Sequence, residues 1–240
     1  MVGLSDEHNL APPQALLQIV AEEIKLPLTQ IVRRLELARL GGEPAGEALV
    51  EVETSAAVAL KLMDSYMLGV NLAENQQTLE LEPVSVSAAL YDTAHSLFDL
   101  AKAYEIDLQL QINQPNSPVM AHPAALKAAL YSLGYAVIQS HGESGKRRFI
   151  SLSTARSSNG IVAGLYGGMP ELSAAHLQNA CRLYGQARQP LNQLSSGSAA
   201  GVFIANKILQ AMNGRLKTSR RRGQAGLAVI LPASPQLQLI

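Results

Sequence analysis

Two long stretches near the start of the chain carry apolar residues at alternating steps of three and four. These residues are Leu17, Val20, Ile24, Leu28, Ile31, Leu35 and Ala38 in residues 14–40, and Leu49, Val52, Ala56, Ala59, Met63, Tyr66 and Val70 in residues 45–75. The spacing predicts two helices, each with a narrow apolar seam. Because Gly41, Gly42 and Pro44 separate the two stretches, we predict a helical hairpin.

A single helical hairpin cannot cover both faces of such a seam. Pairing two hairpins into a four-helix bundle would bury it, so we expect a homodimer. The alternative is that the hairpin packs on the remainder of its own chain. Pro27 lies inside the first helical pattern, where the missing N–H group predicts a bend.

After residue 78 the pattern mixes helices with strands. The predicted helices are 86–104, 123–140, 173–184 and 199–213, and the predicted strands are 106–112, 149–154, 161–165, 215–219 and 227–231. Helices on one face of a mixed sheet form an α+β sandwich. The sequence therefore predicts two domains, a helical hairpin over residues 1–78 and an α+β domain over residues 79–240.

The amino-acid composition limits which binding partners and which cellular compartment are expected. Hydrophobic residues are 48% of the chain, and 19 basic residues balance 19 acidic ones. A full core is therefore expected, with no electrostatic reason to bind nucleic acid or an anionic membrane. A single cysteine excludes an internal disulfide. Since no apolar run reaches the ~18 residues of a membrane span and no signal peptide is evident, we expect a cytoplasmic protein.

The segment Ala-Glu-Glu-Ile-Lys-Leu-Pro-Leu, residues 21–28, resembles the phospho-acceptor box of sensor histidine kinases, His-Glu-Leu-Arg-x-Pro-Leu. Glu22 stands where that family has its histidine, and Pro27 follows at the family's spacing of five. A carboxylate cannot carry a phosphoramidate, so the resemblance implies the fold without a catalytic residue. A further hypothesis is that Glu22 imitates a phosphorylated side chain. As helix neighbours, Glu22 and Glu23 do not share a face, so they are not predicted to act as an acid–base pair. The default interpretation is a solvated acidic spot near the bundle.

Residues 83–232 resemble the ATP-binding domain of the same kinases, but the nucleotide motifs are altered. The matching positions are Ser132 and Ala136 in the asparagine box, Gly164 and Gly168 in the Asp-x-Gly-x-Gly motif, and Gly197 and Gly201 in the glycine-rich stretch before the last helix. Alanine offers no oxygen to magnesium, and Gly164 stands where the adenine-binding aspartate would be. The resemblance therefore implies a degenerate nucleotide pocket with no ATP or magnesium cofactor.

Together these resemblances imply a catalytically inactive, histidine-kinase-like protein of two-component signalling. Its partner would be a response-regulator receiver domain or another histidine kinase. In that family, receiver domains bind the lower part of the bundle near the phospho-acceptor. The resemblance places this zone at Glu22, Ile24, Lys25, Leu28, Thr29 and Val32. Two alternatives remain: an active kinase or phosphotransferase that still binds ATP, and a structural dimerisation module. No two of the five histidines have metal-ligand spacing, so no metal site is predicted.

Overall fold

A computed structural model describes residues 13–42, 44–73, 78–112, 118–140, 148–167, 173–181 and 198–234. The first two elements are α1 (Pro13–Arg39) and α2 (Ala45–Ala73), which pack against each other. Gly41 between them has a positive φ of 71°, a conformation that glycine adopts without strain. The predicted hairpin is confirmed, and α1 continues through the buried Pro27.

The remaining elements form a sheet covered by helices. In chain order they are β1 (Glu82–Val84), α3 (Val86–Ala103), β2 (Asp107–Gln111), β3 (Val119–Ala121), α4 (Pro123–Ser140), β4 (Phe149–Ser157), β5 (Gly160–Gly167), α5 (Ala174–Cys181), α6 (Ser198–Ala211), β6 (Arg215–Arg221) and β7 (Gln224–Leu231). The main sheet has the strand order β2-β4-β5-β7-β6. Only β2 and β4 are parallel, and β1 pairs separately with β3.

The helices α3 and α4 lie together on one face of this sheet. A Cβ atom built at Gly134 on α4 would lie 2.2 Å from Leu97 Cδ1 on α3 and 3.7 Å from Leu165 Cδ2 on β5. Glycine at 134 therefore lets the two helices cross closely above the strand. This arrangement confirms the predicted α+β class. We call residues 82–234 the sheet domain.

Local turns and caps follow from the sequence. Gly214 donates its N–H to the Leu209 carbonyl at 2.8 Å, which ends α6 with the predicted glycine. At the start of α4, the Ala125 N–H donates to Nδ1 of His122 at 3.3 Å. The three consecutive arginines at 220–222 end at the tip of the β6–β7 hairpin, where Arg222 has a φ of 50°. The sequence predicts that residues 76–82 form a linker leading into a strand, which is where β1 begins, but it predicts no strand at 119–121, where β3 lies.

The hairpin and the sheet domain share one apolar core. Val58, Leu62 and Tyr66 of α2 belong to the same buried cluster as the cores of α4 and α6. The single chain therefore adopts the alternative in which the hairpin packs on the rest of the molecule. The homodimer and the domain division at 78/79 stay predictions. The buried stripe of α2 also differs from the predicted seam, since Met63 is 44% exposed.

Large apolar side chains remain exposed on the hairpin after this packing. They are Leu26, Leu28, Val32, Leu35 and Leu37 on α1, and Leu49, Val50, Leu60, Met63 and Met67 on α2. Leu28, Val32 and Leu35 recur at steps of four and three, so they lie along one side of α1, and an exposed apolar row of this kind can mark an interaction site. The hairpin thus has an inner face against the sheet domain and an outer apolar face toward solvent.

Candidate functional site

The N-terminal part of α6 packs tightly against α4. A Cβ atom built at Gly201 would lie 3.0 Å from the carbonyl oxygen of Ser132 and 3.7 Å from the Ala136 methyl. The structure therefore brings together three of the six residues proposed for the nucleotide pocket. Glycine at 201 suits this close helix crossing, because a side chain there would crowd the Ser132 carbonyl oxygen. The Ser132 hydroxyl is buried and has no hydrogen-bond partner among the described residues.

Gly164 lies elsewhere, on the opposite face of the sheet. A Cβ atom there would lie 2.2 Å from Cε2 of Tyr166, whose hydroxyl donates to Ser219 Oγ at 3.3 Å. Because strand side chains alternate, Gly164 and Tyr166 point away from the helices that Leu165 contacts. Gly164 therefore does not line the site around Gly201. Gly168 and Gly197 lie outside the described residues.

Glu23 on α1 reaches the N-terminus of α6 from the hairpin. Its side chain is buried, with 4% exposure, and it faces the backbone N–H groups of Ala200 and Gly201. Burial raises the pKa of this carboxyl well above its ordinary value, and the two amides lower the pKa by less. Neither carboxyl oxygen has a well-formed hydrogen bond among the described residues. The prediction of a solvated acidic spot is wrong for Glu23.

Tyrosine side chains lie near this turn of α6 and near Glu23. The Tyr66 hydroxyl on α2 would lie 3.7 Å from a Cβ atom at Gly201. Burial raises the pKa of Tyr131 and of Tyr135 on α4, and the nearby Glu23 carboxylate raises that of Tyr135 further. The Tyr66 and Tyr131 hydroxyls lack hydrogen-bond partners among the described residues. The site is therefore polar, buried and incompletely paired.

Polar contacts at the edge of this site join α1 to the sheet domain. Gln30 on α1 donates to the Tyr104 hydroxyl at 3.3 Å, and Gln139 on α4 donates to the same oxygen at 2.7 Å. On α2, the Lys61 ammonium lies 5.4 Å from the centre of the Tyr131 ring. These contacts help to fix the hairpin over α4.

The residues predicted to contact a partner fall mainly on the outer face of α1. Lys25, Leu28, Thr29 and Val32 are exposed, and their spacing places them on one side of the helix. Ile24 instead packs partly on the shared core. The side chain of Glu22 lies outside the described part of the chain.

The described side chains do not fit a magnesium–nucleotide complex at the N-terminus of α6. Ala136 supplies a methyl group where magnesium needs an oxygen, and Glu23 supplies an acid where phosphate would need donors. Among the described residues, no group of His, Cys, Asp and Glu side chains could hold a metal ion. Burial raises the pKa of Cys181 to about 11, so its thiol is a poor nucleophile at neutral pH.

Comparison with solved structures decides the fold. The histidine kinase AdeS of Acinetobacter baumannii superposes with a TM-score of 0.54 at 14% identity, over 88% of this chain and 98% of that one. The catalytic domain of histidine kinase ThkA superposes with a TM-score of 0.53 at 15% identity, over 66% of this chain and 99% of that one. The chain has a histidine-kinase fold.

A third structure with this histidine-kinase fold is full-length ShkA in complex with AMPPNP. It gives a TM-score of 0.53 at 15% identity, over 94% of this chain but 48% of ShkA, so the chain spans about half of that protein. By sequence, the chain matches no protein-family profile and no curated protein. Within the described residues, no helix is both long enough and apolar enough to cross a membrane.

Glu23 is the residue that sequence reasoning missed. It lies three residues after Val20 and four before Pro27, which places it on the inner face of α1. That spacing was available in the sequence. It was outweighed by the general rule that glutamate side chains are solvated.

Proposed function

We propose that this chain is a binding protein of a two-component pathway, with the fold of a histidine kinase but without phosphate transfer. Its partner would be a receiver domain or another histidine kinase. One observation carries the proposal: the N-terminus of α6 is covered by Glu23 and packed against Ala136. In kinases of this fold, the matching glycine-rich stretch faces the nucleotide phosphates, as the motif resemblance implies.

Calorimetric titration with magnesium–ATP tests the loss of nucleotide binding. We expect no saturable heat at nucleotide concentrations up to about 1 mM, where a weak site of about −4 kcal/mol would become half-filled. The physical reason is the absence of a magnesium oxygen ligand at Ala136, together with the acid at the helix end. An active kinase of the same fold, titrated in the same buffer, is the positive control. Micromolar affinity for ATP would contradict the proposal and favour the active-kinase alternative.

The outer face of the hairpin is the surface on which partners would bind. On α1 it presents Lys25, Thr29 and the apolar Leu28 and Val32, whose exposed fractions are 49% and 55%. We propose that this patch docks the receiver domain, as the resemblance implies. A second copy of the chain would cover the apolar side chains of α2, including Met63 and Met67.

Replacing Val32 by glutamate is expected to weaken receiver docking by more than about tenfold, since a charge would enter the apolar centre of the contact. Because Val32 is exposed, its replacement should leave the fold intact. The measurement is surface plasmon resonance of the full chain against receiver domains from the same genome. One receiver should stand out, and its binding should fall in the variant.

The matched control is Leu40→Glu, which adds the same charge to the same hairpin at a residue that is 84% exposed and lies just after α1. Its receiver affinity should equal that of the wild type. Sedimentation should show dimers for all three proteins. A monomeric wild type would contradict the proposed dimer, and equal affinities for both variants would contradict the docking surface.

A further inference from the structure

The two edges of the main sheet differ in charge. Strand β6, at one edge, carries four basic residues, which are Arg215, Lys217, Arg220 and Arg221. Charged side chains on an edge strand are a common device that prevents it from pairing with another chain. Strand β2 forms the other edge, and residues 108–112 contain no charged side chain. The β2 edge therefore lacks the electrostatic protection that β6 has.

The backbone of β2 uses alternate residues to pair with β4. Asp107 donates its N–H to the Arg148 carbonyl oxygen at 3.0 Å, on the side of β2 that faces β4. Because successive residues of a strand point their N–H and C=O groups to opposite sides, those of Leu108, Leu110 and Ile112 point away from β4. Among the described residues, no strand pairs with this second side of β2. The edge thus presents a row of backbone donors and acceptors on which a further strand can pair.

The side chains of β2 are complementary to those of a second, antiparallel β2. When Leu110 lies opposite its own copy, Leu108 lies opposite Ile112 and Gln109 lies opposite Gln111. Apolar residues then meet on one face of the joined sheets, and amides meet on the other. In this register the outward-pointing residues are the ones that exchange backbone hydrogen bonds. Leu110, at the centre, is 41% exposed in the single chain, and this pairing covers it.

We propose that β2 is a self-association surface, to which a second copy of the chain adds its own β2 in antiparallel orientation. The two five-stranded sheets then join into one continuous sheet across a twofold axis. Because the strands are short, the contact buries less than the roughly 1,200 Å² of a standard interface, and we expect weak association that requires a high protein concentration. This surface is separate from the outer face of the hairpin. It links two chains whether or not the hairpins form a dimer or bind a receiver domain.

Cysteine crosslinking of the full chain tests the pairing and its register. Leu110→Cys is combined with Cys181→Ser, which removes the native thiol. Residues that exchange hydrogen bonds across an antiparallel pair have Cα atoms about 5.5 Å apart, which is within the range of a disulfide. We expect mild oxidation to convert Leu110→Cys into covalent dimers at least about fivefold faster than Phe98→Cys in the same background. Phe98 on α3 is 56% exposed, so random collisions would crosslink it as readily. Equal crosslinking rates for the two variants would overturn the proposal.

Two charge variants test whether the partner strand is β2 itself. Leu110→Lys and Leu110→Glu each place like charges opposite each other, which opposes pairing. Sedimentation over a range of concentrations should show self-association that is weaker than in the wild type by at least about tenfold for either variant. An equimolar mixture of the two should regain the association, because an ammonium group then faces a carboxylate. A mixture that associates no better than either variant alone would mean that a different strand occupies this edge, and the proposal would fail.

The last residues of the chain are the rival occupant of the β2 edge. Residues 236–240, Gln-Leu-Gln-Leu-Ile, repeat the alternation of β2. Removal of residues 235–240 should leave both the sedimentation and the Leu110→Cys crosslinking unchanged. Association that strengthens on this removal would show that the chain covers the edge with its own end, which contradicts pairing between two copies of β2.

Discussion

Replacing Leu62 by alanine is expected to lower the free energy of unfolding by about 2–5 kcal/mol. Leu62 has no exposed surface and lies in the core cluster that the hairpin shares with the sheet domain. Alanine would leave a cavity between surfaces that cannot fully collapse, because helix α6 is held against both α2 and α4. Urea denaturation, monitored by circular dichroism, measures the change in the free energy of unfolding. The comparison requires that this free energy falls with urea concentration at the same slope in both proteins.

The neighbouring Leu60 offers a matched control on the same helix. Its side chain is 64% exposed, so Leu60→Ala removes the same atoms from the solvent side of α2. That change should alter the unfolding free energy by less than about 0.5 kcal/mol at a concentration where the protein is monomeric. Equal losses for the two variants would mean that α2 does not pack on the sheet domain through its Leu62 face.

The long elements were predictable because each contains many repeats of one pattern. Helix α1 offers seven seam positions, and the predicted 14–40 agrees with the observed Pro13–Arg39. Strand β3 has three residues, which is too few for alternation to be recognised. The parallel pairing of β2 with β4 joins segments that are distant in sequence. No local pattern encodes such a pairing.

The buried side of α2 could not be chosen from periodicity alone. Around Val58 to Met63 the sequence is apolar on nearly every side, so Met63 and Leu62 compete as inner residues. Tertiary packing decides between them: Gly69 lies two turns after Leu62 on the same face of α2, and its missing side chain allows Ile204 of α6 to approach that face. Of the predicted seam, Ala59 and Tyr66 are buried, whereas Leu49 and Met63 are exposed.

The candidate site was predicted in part for a related reason. Ser132, Ala136 and Gly201 lie on helices whose motifs keep a fixed spacing, and they do meet. Gly164 lies on a strand, where a shift of one residue moves a side chain to the other face of the sheet. Tyr166 occupies that face above Gly164. Motif matching by position alone cannot detect such a reversal.

The second large effect is expected from Glu23→Gln on stability as a function of pH. The folded protein binds the Glu23 proton more tightly than the unfolded chain does, because burial raises the pKa of this carboxyl above about 4.5. The contribution of Glu23 to the free energy of unfolding of the wild type is therefore fully present below that pH. It is lost as the pH rises toward the raised pKa. Glutamine does not ionise, so the variant avoids this loss.

The unfolding free energy of Glu23→Gln should consequently exceed that of the wild type by an amount that grows by about 1.4 kcal/mol per pH unit. The growth begins near pH 4.5, the ordinary pKa of the group, and ends at the pKa in the folded protein. Urea titrations at pH 4, 6 and 8 measure it, with Glu36→Gln as the exposed control that should show no such trend. A difference that stays constant across this range would mean that Glu23 is solvated in the folded protein. A difference that shrinks with rising pH would mean that the amides of Ala200 and Gly201 stabilise the ionised acid more than burial opposes it.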